Sequence, residues 1–158
     1  MKKIVLLSIF FSLFFSSFFP VQSAKAAQQQ ITILSDIFHR ELNGKFTNDS
    51  LAQSISVTGG LYYTVANAPM QSIWVIDPQL IEEISDMADG YKVLPSGEGQ
   101  YSQSAQEFLQ LLKVRIGKNQ IFALSYGSPN ITVRAKISEI ELAKLQSVSS
   151  LRLARALN

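Results

Sequence analysis

The sequence predicts an α/β protein, a three- or four-stranded, mainly parallel sheet with flanking helices. Two observations carry this. Ile73–Ile76 and Ile121–Leu124 are short apolar runs without alternation, which suits strands covered on both faces, as in parallel sheets. Around them lie stretches whose apolar residues recur at helical spacing. Strands alternating with helices of ten or more residues form βαβ units, whose crossovers are right-handed. Three strands are few for a closed barrel or a doubly wound sheet, so a compact layer, or part of a larger (β/α) barrel, is expected.

The elements follow in order. Ile31–Leu34 is short and β-branched, a first strand. In "FHRELNGKFTNDSLAQSI" a turn precedes a brief helix, for which Asn48, Asp49 and Ser50 offer N-cap side chains and Leu51, Ala52 and Ile55 an apolar face. Gly59-Gly60 interrupts it, and "LYYTVANAPM" fits helix or strand. After Ile76, Asp77 and Pro78 start a helix with Leu80, Ile81, Ile84, Met87 and Ala88 on one side and Gly90 as a left-handed cap. Ala105, Phe108, Leu109, Leu112 and Ile116 make the next stripe, capped by Ser102 or Ser104 and ended by Gly117. Ser138 and Glu141 form a capping box for a last helix whose face continues through Leu142, Leu145, Val148 and Leu151.

The N-terminus reads as an export signal. Met1-Lys2-Lys3 is followed by the nearly uncharged run "IVLLSIFFSLFFSSFFPV" and by Ala24-Lys25-Ala26, an A-x-A site with cleavage expected after Ala26. Left uncleaved, the same segment is the chain's one expected contact with a membrane. Residues 27–158 then form a single α/β domain, complete or a truncated barrel. Lys2, Lys3 and Lys25 leave with the signal, so 14 basic against 12 acidic residues becomes 11 against 12, a net charge of −1. A near-neutral chain without a basic cluster has no electrostatic footprint for nucleic acid. With no cysteine there is no disulfide framework, thiolate nucleophile or Cys-ligated metal.

The segments "WVIDPQLIEEISDMADGYKV", "SAQEFLQLL" and "IFALSYGSPN" carry a family resemblance. Their order is similar to that in large secreted actinobacterial envelope proteins of unknown function, usually membrane-anchored and encoded near the lipid II flippase. That pattern has a strand ending Asp-Pro-x-Leu, a helix with Met-Ala-x-Gly-Tyr, and a strand reading Ala-Leu-Pro-Tyr-x-Asp-Pro-Asp. The match spans about residues 31–133. It implies a fold resembling the barrel of polysaccharide deacetylases and glycoside hydrolases, with strand-end acids at the active-site mouth. Asp77 takes that place, and the family's Tyr and two later acids fall on Tyr126, Ser128 and Asn130. Both later carboxylates are therefore missing.

The candidate residues have local readings as well. Glycan hydrolysis needs two carboxylates, and only Asp77 sits at a strand end. His39, the one histidine, lies after the first strand with Asp36 three residues before it. With Asp77 they would make an incomplete metal site, and a solvent-exposed loop histidine is the simpler expectation. No metal or cofactor is assigned. Asp77 is also an N-cap, whereas Glu82 and Glu83 suit the helix N-terminus as solvated surface. Tyr62, Tyr63, Trp74, Tyr91, Tyr101 and Tyr126 could stack on sugar rings if several shared a rim. No nucleophile-elbow, P-loop, dinucleotide-binding or zinc-protease motif is present, and no histidine evidently serves a serine nucleophile. The expected function is therefore a non-catalytic exported domain binding cell-wall glycan or an envelope protein through Asp77, Tyr126 and Asn130. The alternatives are a hydrolase or deacetylase using Asp77 with Asp36, His39 or Tyr126, and a shortened relative of a larger barrel protein.

Overall fold

The computed structural model describes residues 29–95, 99–126 and 138–157. The expected signal segment 1–26, its cleavage site, and Ser128 and Asn130 lie outside the described residues. In chain order the elements are β1 (Gln30–Leu34), α1 (Ser50–Ile55), α2 (Gly60–Ala66), β2 (Ser72–Ile76) and α3 (Pro78–Asp89). There follow β3 (Tyr91–Lys92), β4 (Gly99–Gln100), α4 (Gln103–Ile116), β5 (Ile121–Ala123) and α5 (Glu139–Leu157). A mixed α/β fold with a parallel sheet and flanking helices is thus what the chain adopts. Among the described residues the parallel sheet has three strands in the order β1, β2, β5, with both pairings parallel, and it is open rather than closed into a barrel.

Register explains the layering. Trp74 lies beside Thr32 and Ile121, and Ile76 beside Leu34 and Ala123, so these side chains share one face. Leu34, Trp74 and Ile76 are fully buried there, in one core with Leu80, Ile81, Ile84 and Met87 of α3 and Phe108 and Leu112 of α4. The other face aligns Ile31 with Ile73 and Ile33 with Val75, which in turn pairs with Phe122. Here Ile31 is 63% exposed, Ile33 61% and Phe122 55%. The apolar runs suggested cover on both faces. Among the described residues only one is covered, and period-two alternation is hidden because both faces are apolar.

Local signals set the helix ends. Asp77 accepts a hydrogen bond from the Gln79 N–H at 2.9 Å and Pro78 takes the first turn of α3. Ser102, not Ser104, caps α4 by accepting from the Ala105 N–H at 3.2 Å. Ser138 and Glu141 exchange bonds as a capping box, at 3.1 and 3.3 Å. Gly90 ends α3 at φ 123° and ψ 125°, a glycine conformation distinct from the left-handed cap that the sequence suggests. Asp49 precedes α1 without a side-chain capping bond, and its carboxylate accepts instead from the Tyr91 hydroxyl at 3.3 Å.

Three features need tertiary context. The first six residues of "LYYTVANAPM" resolve as helix α2, and the Arg115 guanidinium of α4 donates to its last carbonyls, Val65 and Ala66, and to the Ala68 carbonyl just beyond it. A small antiparallel ladder, β3 with β4, follows α3. In α5, Ser149 and Leu153 are buried, with Leu142, Leu145 and Ala156 partly covered, whereas Val148 and Leu151 are exposed. The stripe 142, 145, 148, 151 steps by three each time and drifts about 60° per step around the helix. The true stripe steps by three and four.

Candidate functional site

The carboxyl ends of β1, β2 and β5 emerge on one edge of the sheet, where open parallel sheets hold their ligands. The chain after β1 supplies Asp36, His39 and Arg40. The turn after β2 supplies Asp77 and the first turns of α3, and Tyr126 follows β5. Of the residues singled out from sequence, Asp36, His39, Asp77 and Tyr126 therefore all come to this edge.

The inner part is buried. Asp77 is 2% exposed, with one carboxylate oxygen committed to the cap. Replacing it by alanine is expected to cost about 1 kcal/mol in urea unfolding, while asparagine, which keeps the acceptor, retains most of that stability. A loss equal in both variants would make the charge, not the cap, the important feature. Glu83 is 1% exposed, so the expectation of a solvated surface residue is corrected. Its carboxyl accepts from the His39 N–H at 3.3 and 3.4 Å and from the Gln79 amide at 3.4 Å. Burial pushes its pKa from 4.5 up to about 7, against the lowering effect of the His39 N–H and the Arg40 charge.

His39 is 3% exposed, which corrects the expectation of an exposed loop histidine. The chain returns through Thr47, whose N–H and hydroxyl both donate to the His39 carbonyl at 2.9 and 3.2 Å and so close the loop that begins at His39. Nδ1 lies 3.1 Å from the Ser50 hydroxyl. Nε2 lies 3.5 Å from Asp36 Oδ2, an ionic approach without hydrogen-bond alignment. The sequence gives no sign of a histidine serving a serine, yet the fold puts Ser50, eleven residues downstream, against this ring. Among the described residues, no group of three or more histidine or acidic side chains could hold a metal ion. Asp36, His39 and Asp77 are thus not assembled as one.

The outer part is a charged groove of about 310 Å³ between α3 and α5. Glu82, Ser85 and Asp86 line one wall and Arg152, Arg155 and Ala156 the other, with Arg40 at the margin. Their spacing of three and four residues places each set on one helical face. Arg40 pairs with Asp86. Arg152 reaches both Glu82 oxygens, at 3.2 and 3.1 Å, and its guanidinium lies 4.5 Å from the centre of the Tyr126 ring. The Tyr126 hydroxyl donates to Glu82 Oε2 at 2.6 Å. Burial, then this bond, pushes the phenol up to about 12, so it stays a donor. The Asp86 carboxyl is raised by burial, against the Arg40 charge. Arg155 is exposed and makes no ion pair among the described residues.

Sequence reasoning missed Arg40, Ser50, Glu82, Glu83, Asp86 and Arg152. One signal was available: Glu83 stands three residues after Leu80 and four before Met87, within the apolar stripe of α3. The pairing of α3 with α5, 70 residues apart at Glu82 and Arg152, has no local signature. Among the described residues, no helix is long and apolar enough to cross a membrane. No protein-family model matches the chain, and no curated protein shows significant similarity to it.

Proposed function

We propose that this chain is an exported cell-envelope protein whose α/β domain binds cell-wall glycan without transforming it. The observation that carries the reading is the groove between α3 and α5. Its size suits one or two sugar rings. Its walls present planar charged groups already held in place by Arg40–Asp86 and by the Tyr126–Glu82–Arg152 cluster. Fixed carboxylates and guanidinium groups pair with sugar hydroxyls at little ordering cost. The exposed Arg155 adds a cation for an acidic substituent of the glycan. The apolar, lysine-started N-terminus supports export, and the resemblance to actinobacterial envelope proteins supports a place at the cell wall.

Co-sedimentation of the purified chain with cell-wall sacculi tests the reading. Saturable binding is expected, weakened about tenfold or more by Arg155→Ala and by Arg152→Ala. Absence of binding, or binding indifferent to both changes, would remove the groove as the glycan site.

A further inference from the structure

We propose that Ser50, His39 and Asp36 form a serine hydrolase centre for small acyl esters, separate from the glycan groove. Ser50 opens α1 on the exposed surface, and its hydroxyl is 3.1 Å from His39 Nδ1. His39 is 97% buried and leaves Nε2 without a hydrogen bond, 3.5 Å from the partly exposed Asp36 carboxylate. An ionised Asp36 on that side favours the proton on Nε2 and leaves the Nδ1 lone pair facing Ser50. Nucleophile, base and orienting acid thus stand in sequence, the arrangement that activates a serine. The long Asp36 contact is of the kind that tightens once substrate is bound.

The other neighbours hold the ring rather than compete for it. Asp36 Oδ1 accepts from the Ile37 N–H at 2.7 Å, which leaves Oδ2 for the histidine. Glu83 engages the backbone N–H of His39, not its imidazole. The Ser50 N–H is bound to Asn48 Oδ1 at 2.9 Å, fixing the residue that carries the nucleophile. Beside this centre, Thr47, bonded to the His39 carbonyl, forms part of a cavity of about 530 Å³ with Phe38, Arg40, Leu42 and Asn43. Ser50 itself stands on open surface, which suits a short acyl group rather than a long chain needing a tunnel.

The reaction balances with water alone. Ser50 Oγ bonds to the acyl carbon as its proton passes to His39 Nδ1. The ester C–O bond then breaks, and the same proton goes to the departing alcohol oxygen. Water adds to the acyl-serine with its proton taken by Nδ1, the acid leaves, and the proton returns to Ser50. Ser50 and His39 are the catalytic residues, and Asp36 is a positioning residue.

The test is hydrolysis of p-nitrophenyl acetate by the full chain, with peptide mass spectrometry of acid-quenched samples to locate the acetyl group. Acetylation of Ser50 is expected, and turnover falling at least about a hundredfold in Ser50→Ala. Asp36→Asn should lose most of the rate and Asp36→Glu recover part of it, with both variants melting within a few degrees of the parent. No acetyl group on Ser50, or rates unchanged in Ser50→Ala, would overturn the proposal. So would equal rates in the Asn and Glu variants at position 36. Because Ser50 and Asp36 are not core residues, these outcomes do not depend on a variant that fails to fold.

Discussion

Replacing Glu83 by glutamine raises the stability of the fold at about pH 8 by up to about 3 kcal/mol and changes it little at about pH 4. The sign follows from burial. In the folded chain the Glu83 carboxyl titrates near 7, against 4.5 without the fold. Below 4.5 both states carry the proton and the carboxyl stays neutral in its buried place. Between 4.5 and 7 the unfolded chain ionises first, so the contribution of Glu83 is lost as pH rises through the folded value. Above that, the fold holds a buried charge against which the His39 and Arg40 N–H groups, the Gln79 amide and the Arg40 charge compensate incompletely. Glutamine resembles the protonated acid, and its carbonyl oxygen can take the place of Oε1, which accepts from both His39 and Gln79. Urea unfolding of both proteins across this range isolates the residue from other carboxylates. Parallel stability curves for the two would mean that Glu83 is not a neutral buried acid near pH 6.

Gly59→Ala is expected to destabilise the protein by about 3 kcal/mol, whereas Gly60→Ala, one residue on, is near neutral. The backbone of Gly59 is extended, at φ −84°, so conformational freedom is not the reason. A methyl group there would overlap the carbonyl oxygens of Gln53 and Ser54 at the end of α1, which are backbone atoms unable to swing aside. At Gly60 nothing lies within 4 Å of the same position. The pair therefore separates close approach from helix propensity at almost the same point in the chain. Similar midpoints for the two variants would show that α1 and α2 can part without cost.

Much of the fold could be read directly. The β-branched runs, the Asp77-Pro78 start, the capping box and the alternation of strands with helices are local chemistry, each confined to a few residues. The site was less legible. Asp77 stood out as a strand-end acid, His39 as the one histidine with Asp36 three residues before it, and Tyr126 through the family resemblance. Their environments did not: His39 looked exposed and Glu83 solvated, and both are buried.

The sequence by itself determined the α/β class, the starts of α3 and α5 and the three strands of the parallel sheet, because propensity, capping and periodicity act over one or two turns. Only the tertiary structure decided which sheet face is covered, that α5 presents Arg152 to Glu82 and Tyr126, and that Ser50 rests on His39. Those pairings depend on how separate elements fill a shared core, a condition on distant side chains that no single segment carries.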